Sequence, residues 1–92
     1  MTVGSLNVTD GSISVKHSQE YTLGRTVSIQ AFRKGLLGYS YQKTVGTVSS
    51  DVTGKSLSTS GLSDGTYKLK FVEISGKCIG YREIHVWGSW SN

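Results

Sequence analysis

The amino-acid sequence predicts an all-β fold, an antiparallel sandwich built from about seven short strands. Apolar and polar residues alternate in several stretches of the chain. Clusters of glycine, serine and aspartate separate these stretches at intervals of about 8 to 12 residues, as in small β-sandwiches. No stretch has apolar residues at the three- and four-residue spacing of an amphipathic helix, so we expect almost no helix.

The clearest strand signal follows the turn residues Asp64 and Gly65. Glycine adopts a positive φ without steric cost, so this pair favours a tight turn. Beyond the turn, large apolar residues alternate with lysines in the order Tyr67, Lys68, Leu69, Lys70, Phe71. Successive side chains of a strand point to opposite faces, so this stretch predicts a half-buried strand over residues 65–75.

Three strands are predicted before position 46, the first of them split by a turn at Asp10 and Gly11. They cover residues 6–9 with 12–16, residues 25–33, and residues 39–45. Val27, Ile29 and Ala31 alternate with polar residues in the second of these strands, and Tyr39 and Tyr41 share one side of the third.

The rest of the chain predicts two short edge strands, near residues 45–48 and 55–59, and a final alternating strand over residues 79–87. Residues 88–92 trail off from it. With 92 residues, 36% of them apolar and none of them proline, the chain fits one domain spanning residues 1–92. An aromatic content of 10% argues against disorder.

The charge balance is basic, with ten lysines and arginines against six acidic residues and a net charge of +4. Such a balance favours anionic surfaces such as teichoic acid, nucleic acid or phospholipid headgroups. The cations are scattered singly, however, and charged residues make up only 17% of the chain. We therefore expect neither a dedicated polyanion site nor a nucleic-acid partner.

Cys78 is the only cysteine, so no intrachain disulfide can form, and we expect it to be an inert, buried or half-buried thiol. No apolar run is long enough to span a membrane. The first residues lack the pattern of a signal peptide, so the chain acts in the cytoplasm or a virion, or has lost a leader. An extracellular or cell-surface location is the expectation, with a virion or the cytoplasm as alternatives.

The six residues Leu62-Ser63-Asp64-Gly65-Thr66-Tyr67 resemble the corner of immunoglobulin-like and fibronectin type III modules. This resemblance implies a Greek-key immunoglobulin-like sandwich, most similar to bacterial surface modules of that type. It makes Leu62 the apolar end of strand E. Tyr67 becomes the corner tyrosine, whose hydroxyl bonds back to the turn backbone, and Leu69 and Phe71 become core residues of strand F. The chain lacks the cysteine pair and the strand C tryptophan of antibody domains.

Motifs of catalysis and metal binding are absent from the sequence, so we expect no enzyme, no cofactor and no metal site. The two histidines, His17 and His85, are far apart in sequence and are expected to face solvent. Three aspartates stand in turn-like segments, where each would cap its own turn: Asp10, Asp51 and Asp64.

The candidate ligand site lies on the last predicted strand. With Ile84 and Val86 facing the core, the opposite face carries Tyr81, Glu83, His85 and Trp87. In an immunoglobulin-like sandwich, the neighbouring strands F and C would add Lys68, Lys70 and Gln42. The alternative is that the register inverts near the glycines and Tyr81 or Trp87 packs inside; Trp90 would then close one end of the sandwich.

Aromatic side chains beside polar groups suit a sugar ring or a protein partner. The sequence therefore predicts a non-catalytic binding or structural module that displays this face to a carbohydrate or a protein. The alternative is a self-associating subunit, a homo-oligomer in which the terminal strand adds edge to edge to another copy.

Overall fold

The structure is a computed structural model that describes residues 2–22, 24–73 and 85–91. Within these ranges the chain forms seven strands and no helix, as the sequence predicts. The strands are β1 (Thr2–Val8), β2 (Ile13–Glu20), β3 (Val27–Gly35), β4 (Gly38–Val48), β5 (Val52–Thr59), β6 (Gly65–Glu73) and β7 (His85–Ser91). The backbone alone is described for His85 and Trp87.

The strands form two antiparallel sheets, which confirms the predicted β-sandwich. One sheet has four strands in the order β1-β6-β3-β4, and the other has three in the order β5-β2-β7. Among these seven described strands only β3 and β4 are joined by a hairpin, and every other consecutive pair is divided between the sheets. Apolar residues at alternate positions of both sheets can therefore meet in one interior layer.

The core lies between the two sheets, where side chains from both are almost fully buried. Burial of a large apolar side chain stabilises the fold by about 1.5–3 kcal/mol, so this layer is the main source of stability. Its members are Val8, Ile13, Val15, Val27, Ile29, Ala31, Val45, Leu62, Tyr67, Leu69 and Phe71.

The turn into β6 has the geometry that the corner resemblance implies. The Tyr67 hydroxyl donates to the Ser63 carbonyl oxygen at 2.8 Å, and the Tyr67 side chain has no exposed surface. Leu62 is also buried, and its backbone N–H donates to the Gly11 carbonyl oxygen at 2.9 Å. The hydrogen bond predicted for Tyr67 is confirmed. Leu62 is buried as expected, but it lies beyond β5, which ends at Thr59, so the prediction that it ends that strand is wrong.

Strand β4 differs from its prediction, because residues 39–45 and 45–48 belong to one strand of 11 residues. Its register with β3 shifts at two places, between Ile29 and Gln30 and between Ala31 and Phe32. A bulge of this kind adds a residue to one strand and bends it without ending the pairing. The alternation of apolar and polar residues is therefore interrupted at the two bulges, although β4 continues through them.

The last strand also differs from its prediction. Residues 88–91 continue β7, whose pairing with β2 extends to Ser91, which lies opposite Ser14. Trp90 is half-buried at the edge of the core, with its ring centroid 6.3 Å from that of Phe71. The predicted part of this strand before position 85, together with Cys78, lies outside the described residues.

Candidate functional site

The outer face of the four-stranded sheet carries a group of aromatic side chains. In β3 the core residues occupy odd positions, so Phe32 points away from the core. Phe32 lies opposite Tyr41 of β4 and opposite Lys68 of β6. The Phe32 and Tyr41 rings meet edge to face, with centroids 5.8 Å apart and planes at 76°. Edge-to-face packing is a preferred geometry for aromatic pairs, so each ring helps to fix the other.

Two lysines lie over aromatic rings on the same face. The Lys68 Nζ atom is 4.3 Å from the centroid of Tyr39, and the Lys70 Nζ atom is 5.9 Å from that of Phe32. Each contact is worth about 0.5–1 kcal/mol at an exposed site. The five residues Phe32, Tyr39, Tyr41, Lys68 and Lys70 are called the aromatic-lysine face below.

This face remains accessible despite its internal contacts. Tyr41 is 53% exposed and Tyr39 is 37% exposed. The Tyr41 hydroxyl shares a hydrogen bond of 2.7 Å with the Thr44 hydroxyl, so the ring is held at both its edge and its polar end. A face of this kind offers apolar ring surface and ammonium groups together, which suits a ligand that has both apolar patches and negative charge.

The structure brings together only part of the predicted ligand site. Lys68 and Lys70 lie side by side on the outer face of β6, as expected. Gln42 is the extra residue of a bulge in β4, and its side-chain amide donates to the Ser40 hydroxyl at 3.1 Å. Its only described polar contacts are with Ser40, and neither lysine is among them.

The predicted neighbours of the last strand are wrong. Strand β7 pairs with β2 in the three-stranded sheet, so the backbones of His85 and Trp87 lie in a different sheet from Lys68 and Lys70. Tyr81 lies outside the described residues. Val86 packs against the core, which confirms the predicted inward position of that residue. Strand direction and alternation were readable from the sequence, but they carry no information about which strand lies alongside.

Three aromatic residues take the place of the last strand beside the lysines: Phe32, Tyr39 and Tyr41. The signal for them was present in the sequence. Tyr39 and Tyr41 were predicted to share a side, and Phe32 has the parity opposite to Ile29 and Ala31. These residues lie beside the lysines only because β3 lies between β4 and β6, and no local pattern specifies that strand order.

The hairpin between β3 and β4 projects beyond this face. Gly35 pairs with Gly38, which leaves Leu36 and Leu37 as a loop of two residues. Both leucines are fully exposed, at 105% and 104% of the reference surface. Leu36, Leu37, Tyr39 and Tyr41 are four of the five exposed large hydrophobic residues in the described chain, so exposed apolar surface is concentrated on this hairpin.

His17 contradicts the expectation that it faces solvent, because it is only 1% exposed. Its ring stacks on Phe71 at a centroid distance of 5.6 Å, and its Nε2 atom is 2.7 Å from the Gln19 Oε1 atom. The Gln19 amide nitrogen donates to the carbonyl oxygens of Val48 and Ser50, at 3.2 and 2.9 Å. Those acceptors fix the amide orientation, so the Gln19 oxygen accepts a hydrogen bond from the His17 Nε2–H.

This tautomer leaves His17 Nδ1 as a buried nitrogen with no hydrogen-bond partner in the described chain. The histidine is therefore packed in the core, and its one described side-chain hydrogen bond is to Gln19. Within the described ranges no group of three histidine, cysteine, aspartate or glutamate residues is placed to hold a metal ion.

The aspartates behave differently from one another. Asp10 caps its own turn as predicted, because its Oδ1 accepts from the Ser12 N–H at 3.2 Å and from the Ser12 hydroxyl at 3.1 Å. Asp51 instead accepts from the Thr22 hydroxyl and from the Thr22 N–H, the latter at 3.1 Å. These bonds hold the pKa of the Asp51 carboxyl below its usual value.

At Asp64 the structure shows hydrogen bonds to the backbone carbonyl, and the side-chain cap stays a prediction. Its carbonyl oxygen accepts from Arg33 Nε at 3.0 Å and from Arg33 Nη2 at 2.7 Å. The guanidinium is thereby held against the β6 turn. At the other end of the sandwich Arg25 is only 3% exposed and lies 3.6 Å from the Glu73 carboxylate, so one of the scattered cations is a structural residue.

The three-stranded sheet has a polar outer face with a shallow cavity of about 370 Å³. In the strand register, Lys16 lies between Ser56 and Ser89, and Ser14 lies between Ser58 and Ser91. The lining of this cavity, among the described side chains, has one ammonium group among hydroxyls and no aromatic ring. It is a natural control surface for the aromatic-lysine face.

No helix in the described part of the chain is long and apolar enough to cross a membrane. Comparisons with protein-family models, with curated proteins and with solved structures found no match for this chain. The chemistry of the surfaces described above is therefore the basis for assigning a function.

Proposed function

We propose that this chain is a non-catalytic β-sandwich module that binds a carbohydrate bearing acidic groups on the aromatic-lysine face. The observation that carries the proposal is the packing of Tyr41, Phe32 and Lys70 into one exposed, ordered surface. Tyr41 is 53% exposed and is fixed by Phe32 and Thr44, while Lys70 lies over the Phe32 ring.

The chemistry of the face matches both halves of such a ligand. The C–H surface of a sugar ring can pack on an exposed tyrosine, whose hydroxyl stays in water. The ammonium groups of Lys68 and Lys70 can donate charge-assisted hydrogen bonds to carboxylate or sulfate oxygens. A sheet holds these groups at fixed spacing, so little side-chain freedom is lost when the ligand binds.

A protein partner is less well matched to this face. Protein interfaces are enriched in aromatic residues and arginine, whereas lysine is depleted in their centres. Here Lys68 lies in the middle of the face, over the Tyr39 ring and opposite Phe32. Desolvating this lysine against an apolar protein surface would be costly, whereas an acidic sugar supplies a counter-charge.

The proposal includes an immunoglobulin-like module, displayed on a bacterial surface, in a secreted protein or in a phage particle. The hydrogen bond from Tyr67 to Ser63 supports the immunoglobulin-like part. The terminal strands count against a standard member, because β1 lies beside β6 and β7 beside β2. In immunoglobulin sandwiches the last strand lies beside the sixth and the first beside the second.

Titration of the isotope-labelled protein with neutral and acidic oligosaccharides, followed by amide NMR shifts, tests the proposal. We expect acidic sugars to shift amides of Lys68, Lys70 and Tyr41, and neutral sugars of equal length to shift them far less. Lys70→Gln should weaken binding severalfold, whereas Lys16→Gln, on the outer face of the other sheet, should leave it unchanged.

The proposal fails if no acidic sugar shifts the amides of this face. It also fails if Lys16→Gln weakens binding as much as Lys70→Gln does, because the effect would then come from net charge alone.

Self-association is a second candidate, favoured by the position of β7. This strand ends the three-stranded sheet, so none of the described strands covers its outer edge. An uncovered edge can pair with a strand of another copy. Light scattering during size-exclusion chromatography should then show a mass that rises with protein concentration; a constant monomer mass would rule this candidate out.

A further inference from the structure

The β3–β4 hairpin ends in an apolar tip that nothing in the rest of the fold requires. Leu36 and Leu37 are exposed at 105% and 104%, so they contribute no burial to the core. Every residue from Lys34 to Thr44 is exposed as well. Exposed apolar residues grouped in this way mark an interaction site rather than a packing position.

The residues behind the tip change in character with distance from it. Lys34 and Tyr39 form the first cross-strand pair below the Gly35 and Gly38 pair. Phe32 and Tyr41 form a pair three residues below the glycines, which places the glycines about 10 Å beyond that pair and the leucines further out. Tyrosine and lysine have apolar bodies and polar ends, and they favour the boundary between hydrocarbon and water.

The charge around the hairpin is positive. Residues 27–48 contain three basic residues, Arg33, Lys34 and Lys43, and no acidic residue. Arg33 and Lys43 donate to the backbone carbonyl oxygens of Asp64 and Ser60. A carbonyl oxygen is uncharged, so neither of these hydrogen bonds is an ion pair. Lys68 adds a further positive charge beside Tyr39.

We infer that the Leu36–Leu37 tip inserts into the interface of an anionic lipid bilayer, with Lys34 and the neighbouring cations on the headgroups. Leu36 lies two residues, about 7 Å, beyond Lys34, which is within the depth of about 5–10 Å to which interfacial segments bury their apolar faces. Anionic headgroups supply the charge that complements the hairpin. This site goes beyond the proposed carbohydrate function: the inserting residues Leu36 and Leu37 lie outside the aromatic-lysine face, and Tyr39 and Lys68 belong to both surfaces.

The shape of the tip favours a bilayer over a protein. Two leucines on a loop of two residues form a convex point, which a protein partner could cover only with a matching pocket. A second copy of this chain is disfavoured by area, because two side chains cover far less than the roughly 800 Å² per partner of a stable interface. A bilayer accepts a convex apolar point without any preformed pocket.

Vesicle sedimentation with the full chain tests this inference. The probes are vesicles of phosphatidylcholine and vesicles of an equal mixture of phosphatidylcholine and phosphatidylglycerol. We expect binding to the anionic vesicles that weakens with added salt. Replacing both leucines, Leu36→Ser with Leu37→Ser, should weaken it at least about tenfold. Thermal unfolding of this variant should match the wild type, because both side chains are exposed.

Two single-lysine variants separate local from overall charge. Lys34→Gln should weaken binding about fivefold, since each cation near an anionic surface contributes about that factor. Lys55→Gln, an exposed position on β5 in the other sheet, should leave it unchanged. The inference is overturned if anionic vesicles do not bind the wild type, if the double serine variant binds equally well, or if both lysine variants weaken binding equally. Sugar binding by the serine variant reports separately on the proposed function.

Discussion

The Tyr67 hydroxyl donates a hydrogen bond of 2.8 Å to the carbonyl oxygen of Ser63, four residues earlier in the chain. The bond ties the turn before β6 to the largest side chain that this strand fully buries. The aromatic ring anchors the strand in the core, and its polar end closes the connection from β5. One residue therefore fixes both the position of β6 and the course of the chain that enters it.

Tyr67→Phe removes this hydrogen bond and keeps the ring. We expect the free energy of unfolding to fall by about 1 kcal/mol, a typical value for a single hydrogen bond. Urea denaturation measures the change. Tyr41→Phe is the matched control, because its hydroxyl bonds to exposed Thr44, and it should cost less than about 0.5 kcal/mol. Equal effects for the two variants would contradict the role of the corner.

The buried His17 and Gln19 pair predicts non-additive mutations. His17→Phe keeps a ring against Phe71 but leaves the Gln19 oxygen unpaired, at a cost of about 1–2 kcal/mol. Gln19→Leu removes the acceptor of His17 Nε2 and the donor to the carbonyl oxygens of Val48 and Ser50. We expect it to lower the free energy of unfolding by about 2–3 kcal/mol.

The double variant should lose about 1 kcal/mol less free energy of unfolding than the sum of the two single losses. In each single variant the remaining side chain lacks its hydrogen-bond partner, whereas in the double variant both side chains are replaced. A double-mutant cycle by urea denaturation measures this coupling. Losses that add to within about 0.3 kcal/mol would show that the two side chains do not interact in the fold.

Asp51 predicts a pH dependence of stability. Hydrogen bonds from Thr22 lower the pKa of Asp51 in the folded state, so folding favours its ionised form. This contribution is complete above the ordinary aspartate pKa of about 3.9 and is lost as pH falls through the lower folded value. Asp51→Asn should therefore be less stable than the wild type near pH 6, and the gap should close in acid.

Unfolding curves collected from pH 6 downward test this expectation. Thr22→Val lacks the donating hydroxyl, so it should also be less stable than the wild type near pH 6, by a smaller amount than Asp51→Asn. A difference between the wild type and Asp51→Asn that stays constant through the acid range would rule out the Thr22 bonds as its cause.

Gly88 predicts a severe effect from a small change. Its φ is 147°, and a Cβ atom at this position would lie 2.0 Å from the backbone oxygen of Lys16 in β2. Gly88→Ala should cost about 2 kcal/mol or more, because backbone atoms of the paired strand must move. Gly35→Ala is the control, since a Cβ there would have its nearest contact at 3.4 Å and Gly35 is the exposed last residue of β3. Thermal unfolding that ranks both variants equally would argue against the close approach of β7 to β2.

The elements of this fold could be predicted where alternation is uninterrupted. Tyr67, Leu69 and Phe71 are buried at every second position, and β6 begins at Gly65 as the turn residues indicate. The bulges of β4 could not be predicted, because an added residue reverses the alternation while the strand continues to pair in a shifted register. His17 was predicted to face solvent because it is polar. In the structure, stacking on Phe71 and the hydrogen bond to Gln19 offset the cost of burying it.

The candidate site could be predicted only in part, for a topological reason. Lys68 and Lys70 follow from alternation in β6 alone. Their aromatic neighbours depend on β3 lying between β4 and β6, which is a long-range property of the chain. The family resemblance supplied the wrong neighbour, because β1 rather than the last strand lies beside β6.

Whether β1 or β7 lies beside β6 decides which residues neighbour Lys68 and Lys70, and nuclear Overhauser effects between backbone protons measure this pairing most directly. We predict cross-strand effects that connect Trp90 with Val15 and Gly88 with His17, together with effects between Val3 and Leu69. Effects that instead connect β7 with β6 would return the last strand to the side of Lys68 and Lys70 and contradict this account of the site.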